Sequence, residues 1–212
     1  EVDFFSSLGR HPTPDLADAL QAGLPFIEEE LYLPIAMSLM DIQHPQGERI
    51  FLEALQDEDI ERQHEALDFL RLSSAPARVS LIEKARRSPH ESIRLHAQML
   101  LESHRAPAPK RIFEGIEAVD RETRVLAFES LGDWARKHPS RTRHLQKARK
   151  LGLAGLGDLE ASVQEAALVL LSHLAEENDR AQLEAFTMSE DPRHRVEAAS
   201  AILHMDARQS AP

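Results

Sequence analysis

Apolar side chains between residues 160 and 175 fall at Val163, Ala166, Ala167, Leu170, Leu171 and Leu174. That spacing of three and four winds a single stripe along an α-helix. The stripe recurs along the chain. Aligned on Ala66, Ala97, Ala127, Ala167 and Ala198, the copies are 31, 30, 40 and 31 residues apart. One turn further stand Leu70, Leu101, Leu131, Leu171 and Ile202 on the same face. Three positions before each alanine come Gln63, Arg94, Arg124, Gln164 and Arg195, and seven before it Asp59, His90, Asp120, Glu160 and Asp191.

Each copy reads as a pair of helices. First helices are marked by Ile50, Phe51, Ala54 and Leu55 and by Ile112, Phe113, Ile116 and Val119. The turns SPHE, VDRE and EDPR put acids, Ser or Pro where a second helix should start. Small alanines let paired helices approach, and the Leu column fills the seam between copies. The Asp and Arg columns are expected to bond across neighbouring turns as a structural ladder. Only 5% of residues are aromatic, with Trp134 and Tyr32 the single examples of their kinds. The core must therefore be aliphatic and the fold all-α.

DPRHRVEAASAIL and HESIRLHAQMLL resemble the second helices of short bacterial HEAT-like repeats. The resemblance spans roughly residues 46 to 205. It extends more weakly to the stretch before, where Ala36 and Met40 occupy the Ala and Leu columns. It implies a right-handed α-solenoid, an armadillo-like superhelix of helical hairpins. Residues 1–45 would be a degenerate capping hairpin, 46–205 five repeats with a basic insertion near 136–147, and 206–212 a disordered tail or a junction. Glu28, Glu29 and Glu30 would start the capping helix, with Pro34 near its first turn. Scaffolds of this family serve many purposes, so the resemblance constrains fold far more than function.

Charge is segmented. Residues 1–68 hold 16 acids and 3 bases, residues 69–150 hold 9 and 18, and residues 151–212 hold 11 and 4. The nine or so extra residues of the long spacing lie in the basic middle, where Arg136 to Lys150 carries seven Lys or Arg and no acid. Insertions in repeat arrays map to loops on a working face. The expected partner site is therefore Arg136, Lys137, Arg141, Arg143, Lys147, Arg149 and Lys150, with Trp134 as an aromatic anchor beside them. The partner expected there is another protein with an acidic surface, and the alternative is a phosphate backbone of nucleic acid.

Catalytic chemistry finds little support. Without cysteine there is no thiol nucleophile, disulfide or thiolate metal site. His64-Glu65 and His90-Glu91 are similar to the iron-ligating pairs of HEAT-like deoxyhypusine hydroxylase, but they stand in different repeat columns. A dinuclear site needs ligands from equivalent positions. A net charge of −11 opposes a DNA-wrapping surface like that of HEAT-like alkylpurine glycosylases. HEAT-like bilin lyases are a third analogy without a discriminating residue. No Gly-rich phosphate loop or Gly-x-Ser-x-Gly elbow is present. The expectation is a non-enzymatic scaffold or regulatory domain with no cofactor and no metal, cytoplasmic, without membrane insertion. Glu1 in first place suggests a processed product or an excised piece.

Overall fold

The computed structural model describes residues 22, 28, 31–104 and 108–210. Most of the expected capping hairpin, with Glu29 and Glu30, lies outside the described residues. Among those described the protein is all-α, with eleven α-helices, one 3₁₀ turn and no strand. The helices are α1 Tyr32–Asp41, α2 Pro45–Ala54, α3 Ile60–Leu72, α4 Arg78–Ala85, α5 Glu91–Ser103 and α6 Lys110–Ile116. They continue as α7 Arg121–Lys137, α8 Thr142–Gly155, α9 Ala161–Leu174, α10 Arg180–Thr187 and α11 Pro192–Ser210. The chain divides after Leu101 into two compact units. The repeat columns run through that boundary without a change of period.

In the first unit α2 lies tightly on α1. A Cβ added to Gly47 would come 2.5 Å from the Met40 nitrogen and 2.6 Å from the Ala36 carbonyl oxygen. Only glycine lets the two backbones approach this closely. Pro34 sits in the first turn of α1, where its missing N–H is harmless. Helix α3 packs against α1, α2 and α4. Asp41 Oδ1 closes the loop after α3, accepting from Ser73 Oγ at 2.6 Å and from the Ser74 and Ala75 amides at 3.0 Å. The core is mostly aliphatic, built on Ile35, Leu39, Leu67, Leu70 and Ile82, but the aromatic ring of Phe51 is wholly buried among them, which the low aromatic content did not lead one to expect.

The second unit consists of three hairpins, α6 with α7, α8 with α9 and α10 with α11, and α9 packs between α7 and α11. All five column alanines lie in second helices with no exposed surface. Leu70, Leu101, Leu131 and Leu171 are buried with them, and Ile202 is half-buried. Val119, expected in a first helix, instead lies in the turn after α6 and is fully exposed, because α6 stops at Ile116. Leu159 is as exposed at the matching position of the next turn.

The polar columns do something more local than a ladder. Every residue three before the column alanine donates to the carbonyl six residues back. Gln63 bonds Asp57 at 2.7 Å, Arg94 bonds Ser88 at 2.9 Å, and Arg124 bonds Ala118 at 3.1 Å. Gln164 bonds Asp158 at 2.7 Å and Arg195 bonds Ser189 at 2.9 Å. These side chains satisfy turn carbonyls that the helices leave without partners. The acidic column caps helices instead: Asp59, Asp120 and Asp191 accept from the amides of Glu61, Thr123 and Arg193. Arg124 in addition reaches the next hairpin, with Nε and Nη2 at 2.9 and 3.0 Å from the Asp158 carboxylate.

Two further expectations are corrected. The insertion is not a loop, because it lengthens α7 to 17 residues and α8 to 14. The tail does not start after Met205, since α11 continues to Ser210.

Candidate partner-binding surface

The extra residues of the long spacing form a helical corner at the end of α7 and the start of α8. Trp134 holds that corner from inside. It is fully buried, with His138 at 5.2 Å and the edge of His144 at 6.0 Å between ring centroids. It is a core residue, so no aromatic surface remains there for a partner.

The cations divide by what they touch. Arg149 belongs to the fold: its Nε and Nη2 lie 2.6 and 2.8 Å from the Asp179 carboxylate, and its Nη1 lies 2.6 Å from Glu176 Oε2. The hydrogen bond to Asp179 raises the guanidinium's pKa further. Burial pushes the Asp179 carboxyl up, yet the bonds from Arg149 and the Glu176 amide outweigh it and hold it below its usual range. Arg136 pairs with Asp133, Lys137 Nζ is 2.8 Å from His104 Nδ1, and Lys147 Nζ stands 4.0 Å above the Phe113 ring.

Arg141, Arg143 and Lys150 are exposed, as are Arg136, Lys137 and Lys147. Arg143, Lys147 and Lys150 follow at steps of four and three on α8, which places them on one face of the helix. The opposite face buries Ala148, Gly152 and Gly155. A Cβ on Gly155 would meet Phe128 Cζ at 2.6 Å and Ala167 Cβ at 2.9 Å, so α8 is seated firmly and its outer face is well oriented. Guanidinium forks and ammonium groups arranged this way suit carboxylates or phosphates.

The histidines form no such collection of ligands. Among the described residues no group of three or more His, Asp or Glu is arranged to hold a metal ion. His64 meets His96, with Nδ1 atoms 3.0 Å apart and rings stacked at 5.3 Å. His96 is buried and its Nε2 lies 3.5 Å from Asp68 Oδ1. Burial depresses its pKa strongly, with His64 and Arg71 adding to the effect, and burial lowers His64 too. The folded chain therefore binds fewer protons here than the unfolded chain as pH falls below the imidazole's ordinary value of about 6.5. Stability should drop by roughly 1 kcal/mol per pH unit below that point, beyond the background from carboxylates. Thermal melts at about pH 7.5 and about pH 5.5 should show a smaller pH difference for His96→Gln than for the unaltered protein.

Comparison with known proteins adds only to the fold. No family model matches the chain. No curated protein matches it. The crystal structure of an engineered protein, a Northeast Structural Genomics Consortium target, matches at 15% identity with a TM-score of 0.53. The match covers 97% of this chain and 96% of that one. At that identity the likeness is one of fold.

Sequence reasoning missed the commitment of Arg149, because its partners lie 27 and 30 residues away in the next hairpin's approach. A signal exists in hindsight. Asp158 serves Arg124 across a similar separation of 34 residues, so an acid about one repeat downstream is a necessary sign of a cation used for folding in this way, though not a sufficient one, since Arg143 has Glu176 and Glu177 at that spacing and stays exposed.

Proposed function

We propose that this chain is a non-enzymatic, macromolecule-binding scaffold or regulatory domain, built as a right-handed HEAT-like α-solenoid, that engages an acidic protein surface in the cytoplasm. One observation carries the reading: Arg143, Lys147 and Lys150 remain exposed on one face of the firmly seated α8, with the exposed Arg141 in the turn just before it. The insertion that holds them exceeds what the repeat requires. The hairpins of the second unit support a stacked-repeat architecture, and repeat scaffolds offer extended binding surfaces. No helix among the described residues is long and apolar enough to cross a membrane.

The test replaces Arg141, Arg143 and Lys150 with Glu and leaves Lys147 on Phe113. Exposed substitutions usually change stability by no more than about 0.5 kcal/mol each, so circular dichroism should be nearly unchanged. Affinity capture from the native source should recover proteins with acidic surfaces that the triple variant loses, and moderate salt should release them. Capture abolished by nuclease treatment would transfer the site to nucleic acid. Equal capture by both proteins would remove the site altogether.

A further inference from the structure

Three turns of the second unit each present one large apolar side chain and one glutamate to water. Val119 in the turn before α7 is 100% exposed, Leu159 before α9 is 99% and Met188 before α11 is 84%, the highest values for large apolar side chains among the described residues. Repeat packing does not require them. Val119 and Leu159 stand eight before the column alanine and Met188 ten before it, where the first unit has Glu58 and Pro89, and Gln56 and Arg87. The three turns lie side by side. Arg124 at the start of α7 donates to the Val119 carbonyl at 2.8 Å and to the Asp158 carboxylate beside Leu159 at 2.9 Å. His194 Nε2 at the start of α11 lies 2.9 Å from the Ala161 carbonyl oxygen at the start of α9. Since α9 packs between α7 and α11, and packed helices are about 8–10 Å apart, the apolar side chains follow one another along a ridge at roughly that spacing.

We infer that this ridge docks a basic amphipathic helix of a partner protein. It is separate from the cations of α8, because it lies at the opposite end of the 17-residue α7, about 25 Å away. Its charge complements such a partner. The eight-residue windows that start at Glu117, Gly157 and Met188 hold seven acids and four bases. Every one of those bases is engaged: Arg121 with Glu122, Arg124 with Asp158, Arg193 with Glu165, and Arg195 with the Ser189 and Glu190 carbonyls. The carboxylates of Glu117, Glu160 and Glu190 are exposed and make no hydrogen bond or ion pair with the described residues, although Glu160 adds its field to that of Asp158 at Arg124. Each stands one or two positions from an apolar side chain of the ridge. Helical form follows from the spacing. Seven residues of α-helix rise about 10.5 Å and return to nearly the same face, whereas the side chains on one face of a strand recur at about 6.6 Å and then about 13 Å. Lys or Arg beside each apolar residue of that helix would meet the glutamates. An anionic membrane would meet the same carboxylates and be repelled.

The probe is a fluorescein-labelled synthetic peptide of Ala, Lys and Leu, about three heptads long, with Leu at every seventh position and Lys on both sides of that stripe. Its anisotropy with the full chain should show saturable binding at about 10–100 µM that weakens as salt rises. Leu159→Ser should weaken binding about tenfold or more, as expected when one leucine loses its burial. Glu117→Gln, Glu160→Gln and Glu190→Gln together should weaken it and remove most of its salt dependence. All four positions are exposed, so circular dichroism of these variants should match that of the unaltered chain. A peptide of the same composition with its leucines spread over all faces should bind about tenfold more weakly or worse. No binding by about 500 µM, or equal binding by the variants or by the spread peptide, would overturn the inference. Flotation of the chain with anionic phosphatidylserine vesicles, if abolished by Leu159→Ser, would overturn it in favour of a membrane surface.

Discussion

Ala167→Arg should cost about 4 kcal/mol or more, near the limit of what single substitutions do. Ala167 has no exposed surface, and its Cβ is so close to α8 that a methyl group on Gly155 would already fall 2.9 Å from it. Val163, Ala166, Leu170 and Leu171 are buried on the same helix. An arginine there can neither reach water without parting α8 from α9 nor find a counter-charge among aliphatic neighbours. Both overpacking and an unpaired buried charge therefore act together. The melting transition of the second unit should fall by about 15–30 °C or vanish, because roughly 4–8 °C accompanies each kcal/mol in a domain near 100 residues. Ala167→Gly, which only loosens the helix, should cost about 1 kcal/mol. Scanning calorimetry of the two variants side by side checks the register of the whole alanine column. If Ala167→Arg melted like the unaltered protein, the helix contact at this column would be refuted.

Trp134→Ala should cost about 3–5 kcal/mol, as expected for emptying a buried aromatic site. Its ring is wholly inside, against His138 and His144, so its removal opens a cavity where α7 meets α8. The loss of stability should accompany any loss of binding, whereas the triple charge variant on α8 and the turn before it should lose binding without losing stability. That contrast separates a core tryptophan from a docking one. Trp134 is also the sole tryptophan, so emission of the folded protein should be blue-shifted and shielded from acrylamide. A red emission that quenches as readily as free indole would place the ring at the surface.

Much of the fold was legible because it repeats. A column of five alanines with leucines one turn on carries its own confirmation, since packing the same hairpin repeatedly needs the same small and large side chains at the same places. All five alanines are buried in second helices as that pattern predicts. A further column was present and unread: Asp57, Ser88, Asp158 and Ser189 stand nine before their alanines. Each accepts from the amide two residues on. Short oxygen-bearing side chains do this in turns whatever the rest of the fold is.

The candidate site was legible only as composition. Seven cations between Arg136 and Lys150 are plain in the sequence, but spacing alone could not tell an inserted loop from longer helices, because both add the same number of residues. Nor could it divide the cations. Arg149 and Arg143 are alike in chemistry and differ in whether Asp179 and Glu176 stand opposite, a fact about another hairpin.

The same limit applies to α11. Local periodicity determines which residues of a helix lie on one side, and it did so for every second helix here. Whether Leu203 on that side is covered, as Ser172 is in α9, depends on a neighbouring helix, and only the tertiary structure decides that. Helical period is a property of consecutive residues and is written in their order. Exposure, ion pairing and the choice between core and surface arise between residues far apart in the chain, where the free energy depends on what the fold brings opposite.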